Sequence, residues 1–189
     1  MQQIEFFTSV IRALNEIGVQ YMLTGSVASN FYGQPRLTHD VDLAVVFTFG
    51  QIKVLSSKYP APRYYLSEEA AAEAVKTRAM FNLIDSETGL KADFWIYDED
   101  DALKRSAFLR RRQAVVLGQK TFIATPEDII LLKLDWHRQG VENTVQFKDA
   151  LAVWEIQRKE LDMDYLRSMA RSIGLTELLA SLEAQAVTD

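Results

Sequence analysis

Asp40-Val41-Asp42-Leu43 sets two carboxylates two residues apart at the head of Val41 to Phe47, an apolar, β-branched run broken by a single acid. On a strand, residues two apart share a face, so both side chains point the same way. Two carboxylates about 5 Å apart repel by roughly 3 kcal/mol at an effective dielectric near 20. A divalent cation between them removes that repulsion, and hard oxygen ligands suit Mg²⁺ or Mn²⁺. A third acid, Asp93, lies in Lys91-Ala92-Asp93-Phe94-Trp95-Ile96 among residues that favour burial. A lone acid in such a strand is costly unless it has a partner. On a strand beside Asp40 and Asp42 it would complete a three-carboxylate metal site. Read without a cation, the same residues are an exposed strand face and an edge acid.

Leu23-Thr24-Gly25-Ser26 ends one apolar run and opens a short helix. Gly25 lets backbone N–H groups approach a ligand closely, and a helix start at Ser26 favours an anion. Lys133 is three or four residues from Ile129, Ile130, Trp136 and His137, away from an acidic face formed by Asp128 and Asp135. Such a lysine either snorkels or reaches a polyphosphate as a point charge. Asp149 shares a helical stripe with Val145, Ala152, Val153 and Ile156, an odd place for a solvated acid. A buried charge needs an opposite partner, and the simplest arrangement pairs Asp149 with Lys133. Arg36 is either a phosphate grip or a loop cation. His39 alternates to the strand face opposite the carboxylates. Lys104, Arg105, Arg110, Arg111 and Arg112 read as a solvated basic run or as a landing site for RNA phosphates.

Composition narrows the chemistry. The 189 residues carry a net charge of −5, with 48% hydrophobic and 25% charged residues, the balance of an ordinary globular chain. Cysteine is absent, which removes disulfides, thiolate metal sites and a cysteine nucleophile. Two histidines are too few for a histidine-rich metal site. The glycines are spaced too widely to write either a GxxxxGK phosphate loop or a GxGxxG turn. Met1-Gln2-Gln3-Ile4-Glu5 lacks the basic and apolar parts of a signal peptide. Ile17 to Pro35, the longest uncharged stretch, is too polar to span a bilayer, so a cytoplasmic protein without membrane partners is expected.

The elements that would position these residues follow from periodicity. Ile4, Phe7, Ile11, Leu14 and Ile17 predict an amphipathic helix ending at Gly18. Strands are expected over 19–24 and 41–47, with a short helix from Gly25 to Phe31 between them. Residues 51–78 read as helix interrupted at Tyr59-Pro60-Ala61-Pro62. Hairpins are expected over 80–97, turning at 86–89, and over 113–123, turning at Gly118-Gln119. Thr125-Pro126-Glu127-Asp128 is a helix start with a capping hydroxyl, a first-turn proline and first-turn acids. Helices follow over 126–138, 144–158, 162–172 and 175–186. The expected class is α+β, a mixed sheet flanked by helices over 1–124, followed by a helical bundle over 125–189.

In this order the motifs resemble the DNA polymerase β-like nucleotidyltransferase superfamily, whose pattern hG[GS]…Dh[DE]h…h[DE]h matches Leu23-Gly25-Ser26 (with Thr24 before the glycine), Asp40-Val41-Asp42-Leu43 and Ala92-Asp93-Phe94. The resemblance covers roughly residues 19 to 97. Gln34-Pro35-Arg36-Leu37-Thr38-His39-Asp40, and Thr125 to Lys133 with Asp149, are similar to the abortive-infection type (AbiEii-like) and toxin-like bacterial members. The resemblance implies Mg²⁺ (or Mn²⁺) on Asp40 and Asp42, with Asp93 touching one metal and activating the acceptor hydroxyl. It further implies NTP as substrate, phosphates held by Gly25 and Ser26, and Lys133 and Asp149 lining the cleft. The acceptor is expected to be RNA (tRNA included) or protein, with a cognate antitoxin as a further partner. The competing readings are a small-molecule (antibiotic) adenylyltransferase and a non-catalytic member of a toxin–antitoxin pair.

Overall fold

A computed structural model describes residues 2–140 and 143–186, so Met1 and the last three residues of the expected helical domain lie outside it. The elements are α1 (Gln2–Ile17), β1 (Gln20–Thr24), α2 (Gly25–Tyr32), β2 (Asp40–Val46), α3 (Phe49–Lys58), β3 (Tyr64–Tyr65), α4 (Glu68–Thr77), β4 (Met80–Asp85) and β5 (Lys91–Ile96). They continue as α5 (Ala102–Arg110), β6 (Arg112–Val116), β7 (Gln119–Ile123), α6 (Pro126–Arg138), α7 (Asn143–Gln157), α8 (Met163–Ser172) and α9 (Thr176–Ala186). The class is mixed α and β, as expected. The chain forms two compact units. One comprises Met1–Thr24, Leu37–Asp98 and Arg112–Ile123; the other Gly25–Arg36, Glu99–Arg111 and Ala124–Asp189.

The first unit holds all seven strands in one mixed sheet of order β3-β4-β5-β2-β1-β7-β6. β2 and β5 run parallel, as do β1 and β7, while the other pairs are antiparallel. One face is apolar and lies under α1, α3 and α4. In it Val41 aligns with Ala92 and Leu83, and Leu43 with Phe94 and Phe81, all nearly or fully buried. Phe47 closes the layer against the rings of Phe81 and Phe94. The α1 stripe is rotated from the expected one. Phe6, Phe7, Val10, Ile11, Ala13 and Leu14 are buried, whereas Ile4 is exposed, so the core side of the helix is centred on Phe7, Val10, Ile11 and Leu14. The 113–123 hairpin turns at Leu117-Gly118, both at positive φ, one residue earlier than expected. Two consecutive positive-φ residues make the tight turn whose twist matches the flanking strands.

The second unit is helical. α6 and α7 pack side by side, and α2 packs on both. Gly33, just after α2, allows this approach: a Cβ there would sit 2.9 Å from the Val153 backbone nitrogen. Helix α5 is absent from the expected elements. Its buried Leu103 is separated from Ala107 and Phe108 by Lys104, Arg105 and Ser106, and its start is marked by Asp101, whose side chain accepts from the Lys104 amide. α5 rests on α6 through Arg110, which pairs with Glu127 and Asp128.

Candidate active site

The sheet face opposite the helical layer carries the carboxylates. The β2/β5 register sets Asp42 opposite Asp93 and Asp40 opposite Lys91. β1 adds Thr24 beside Asp42, and β4 adds Asn82 beside Asp93. Four strands thus present one polar row, Thr24, Asp42, Asp93 and Asn82, with Asp40 and Lys91 two residues away. The Lys91 ammonium is 3.7 Å from Asp40 Oδ1, and the Trp95 indole N–H donates to Asp42 Oδ1 at 3.4 Å. Asp40 Oδ1 and Asp93 Oδ1 are buried with no hydrogen bond. Burial, then the charges of Asp42 and Asp40, push the Asp93 carboxyl up to about 6, against a smaller opposing pull from Lys91.

Among the described residues, no three acidic or histidine side chains stand close enough together to enclose a metal ion as they are. The chemistry of the donor set nevertheless fits one. Three carboxylates share a face, and two of their oxygens are buried without a hydrogen bond.

The remaining expected residues meet in the second unit. Asp149, 7% exposed on α7, accepts from Arg36 Nε at 2.7 Å, Arg36 Nη2 at 2.8 Å and Lys133 Nζ at 2.8 Å. The pairing of Lys133 with Asp149 is as expected from their interrupted stripes. The bidentate grip of Arg36 is new, and it uses the forked geometry that guanidinium offers a carboxylate. Arg36 Nη2 also donates to Ser26 Oγ at 2.8 Å. Asn30 fixes the Arg36 backbone, accepting from its amide and donating to its carbonyl. Burial pushes the Asp149 carboxyl up, but the bonds and charges of Arg36 and Lys133 outweigh it and hold the group below its ordinary value. Two cations, Arg36 and Lys133, thus converge on Asp149. Gly25, at φ +58°, starts α2 in a conformation that favours glycine. One turn before Asp149, Gln146 buries an Oε1 with no hydrogen bond.

Two further readings of charge change. Asp128 is not part of a solvated acidic face. It is fully buried and accepts from the hydroxyls of Tyr165 and Thr125 and from Arg110 Nε. Burial is the stronger influence and raises its carboxyl despite these donors. Four members of the basic run are engaged locally. Lys104 pairs with Asp101, Arg105 donates to the Glu99 carbonyl, Arg110 lies 3.5 Å over the Tyr165 ring, and Arg111 donates to the Phe108 carbonyl. The helix cap Asp101, the buried Asp128 and two backbone carbonyls thus engage these cations.

No protein-family model matches the chain, and no curated protein matches it. Solved structures do. The chain is similar to an antigenic nucleotidyltransferase-like protein from Paracoccidioides brasiliensis, with 15% identity and TM-score 0.50 over 97% of this chain and 93% of that one. It is similar to the antibiotic-resistance factor ANT(2'')-Ia, with 13% identity and TM-score 0.53 over 100% and 98%. It is also similar to the lincosamide antibiotic adenylyltransferase LnuA, in a lincomycin-bound structure, with 14% identity and TM-score 0.50 over 81% and 98%. The sheet that aligns Asp42 with Asp93, and the helices that gather Arg36, Lys133 and Asp149, together make a nucleotidyltransferase-like fold.

Proposed function

We propose that the protein is a Mg²⁺- or Mn²⁺-dependent nucleotidyltransferase that moves a nucleoside monophosphate from an NTP, ATP included, to an acceptor hydroxyl and releases pyrophosphate. The observation that carries this is the Asp42–Asp93 row, with buried oxygens on Asp40 and Asp93 that have no hydrogen bond. Asp40, Asp42 and Asp93 would hold the ion. When bound, it supplies charge neutralisation for the phosphates, which phosphoryl transfer needs most. Asp93 takes the acceptor's proton as the acceptor oxygen bonds the α-phosphorus and the bond to pyrophosphate breaks. Arg36 and Lys133 converge on one side of the helical unit, which suits them to a polyphosphate, with Asp149 positioning both. Gly25 and Ser26 offer the N-terminal amides of α2 to the same group. In this proposal the catalytic carboxylates belong to a 1–124 domain, and Lys133 with Asp149 to a 125–189 helical domain.

For the acceptor, the pairing of the basic run removes one support for RNA. A small-molecule acceptor has its own support in the two fold neighbours named for antibiotics. A protein acceptor, an abortive-infection or toxin-like branch and a cognate antitoxin rest on the sequence resemblance alone. The test is to incubate the protein with each labelled NTP, Mg²⁺ and cell extract, since the labelled product identifies base and acceptor together. In parallel, NTP binding is measured with and without Mg²⁺ in Asp40→Asn, Asp42→Asn double variant. Loss of Mg²⁺-dependent binding with folding intact is expected, and unchanged binding would overturn the reading.

A further inference from the structure

Asp40 and Lys91 each open a strand, and the parallel β2/β5 register sets them side by side. The Lys91 amide donates to the His39 carbonyl, which anchors that register at its first residue. Strand alternation puts Asp40, Asp42, Lys91 and Asp93 on one sheet face. The Lys91 and Asp40 side chains do not close into a hydrogen bond. Nζ stops 3.7 Å from Oδ1, with Lys91 42% and Asp40 36% exposed. Lys133 and Asp149, by contrast, close to 2.8 Å at 2% and 7%. The loose pair leaves its mark on one atom: Asp40 Oδ1 is withdrawn from solvent yet accepts no hydrogen bond. A carboxylate oxygen shut from water without a donor is costly, and an ammonium held beyond bonding distance offsets only part of that cost.

We infer that Lys91 is a built-in competitor of the divalent ion: its ammonium stands on the Asp40 side of the site while the ion is away, and withdraws from Oδ1 when the ion binds. This rests on the proposed metal role of Asp40, Asp42 and Asp93. Among the described residues, these acids do not enclose an ion as they stand. For Asp40 to close on one, Oδ1 must give up the ammonium. Lysine suits that exchange, because its compact charge sits on a flexible four-carbon stem and can leave without moving the strand. The ion brings two charges against one and direct contact with the oxygen, so it wins at Asp40. It does so against a rival that never diffuses away. Lys91 therefore sets how tightly free metal is held, and it acts through Asp40 as a positioning residue.

The test uses the whole protein labelled with ¹³C at the lysine ε carbons, with Lys91→Met assigning the Lys91 signal by its loss. Asp40→Asn removes the charge that Lys91 faces and should move its signal toward the position of a solvated lysine. Saturating Mg²⁺ should move the Lys91 signal of the wild type in the same direction. Mn²⁺ affinity, read from the electron paramagnetic resonance of the free ion, should tighten about three- to fivefold in Lys91→Met, the worth of one partly exposed ion pair. It should stay within about twofold of wild type in Lys91→Arg, which keeps the charge. A Lys91 signal that saturating Mg²⁺ leaves in place, or moves away from the Asp40→Asn position, while Mn²⁺ binds, would overturn the displacement. Equal Mn²⁺ affinity in wild type and Lys91→Met would overturn the competition. Either result rejects this inference alone, since the ion is bound. Failure of wild type and Lys91→Met alike to bind Mn²⁺ would reject the carboxylate reading and this inference with it.

Discussion

Asp149 and Asp93 are both withdrawn from most of the solvent, yet their carboxyls move in opposite directions. Burial is the leading influence at each, and it raises both. At Asp149, Arg36 and Lys133 reverse it; at Asp93, Asp42 and Asp40 add to it. The neighbours decide the sign, not the depth. The Asp149 centre is closed, because each carboxylate oxygen accepts from a cation. The sheet centre is open, because Asp40 and Asp93 each bury an oxygen with no hydrogen bond. Closed centres hold structure together, whereas open ones store repulsion that a cation can relieve.

The strongest way to break that contrast is to remove the acid from the closed centre. Asp149→Asn leaves Lys133, 2% exposed, without its counter-charge. The expected loss is about 3 kcal/mol at pH 7, read from urea unfolding. Because the folded carboxyl lies below its ordinary value, its contribution is present above about pH 4 and disappears as the pH falls through the folded value. The gap between wild type and variant therefore closes in acid. A double-mutant cycle with Lys133→Met should show coupling of about 1 kcal/mol or more, with Arg36 taking the remainder. Additive losses would mean that the centre is not a unit.

The same substitution at the open centre should have the opposite sign. Asp93→Asn is expected to raise stability by about 1 kcal/mol at pH 8 in chelator, since it removes a charge that burial and two acids disfavour. Here the folded value, about 6, lies above the unfolded one, so the wild type loses stability as the pH rises from about 4 to 6. Below about pH 4 the carboxyl is protonated in both states and the advantage of asparagine vanishes. Adding Mg²⁺ should narrow the advantage at pH 8. Thermal unfolding across pH, with and without Mg²⁺, checks both. An asparagine variant less stable than wild type at pH 8 would remove the contrast.

How far the two centres were legible follows from how each violates a pattern. Lys133 and Asp149 interrupt helical stripes of known period, so their burial and pairing could be read from spacing alone. Asp40, Asp42 and Asp93 interrupt apolar strands in the same way. Arg36 lies in a loop with no period and 113 positions from Asp149, so nothing local pointed to its partner. Asp128 was misread because it shares a helix face with Asp135. Its partners Arg110 and Tyr165 lie on α5 and α8, and α5 has no one-sided apolar stripe to announce it. The strand order, with β7 beside β1 and β5 beside β2, depends on long-range pairing that local pattern does not encode.

The smallest expected effect tests where the closed centre ends. Ser26 accepts from Arg36 Nη2, yet Arg36 keeps both bonds to Asp149 without it. Ser26→Ala forfeits one partly exposed hydrogen bond, worth about 1 kcal/mol or less. It also gains up to about 0.5 kcal/mol of helix propensity in α2. The two nearly cancel, so unfolding in urea should move by no more than about 0.5 kcal/mol. If the Ser26 hydroxyl serves a phosphate in addition to its amide, NTP affinity should fall severalfold in the same variant while stability holds; if the amide alone serves it, affinity should hold as well. A stability loss above about 1 kcal/mol would instead place Ser26 inside the closed centre with Arg36, Lys133 and Asp149, as a structural acceptor whose hydroxyl is not available to a nucleotide.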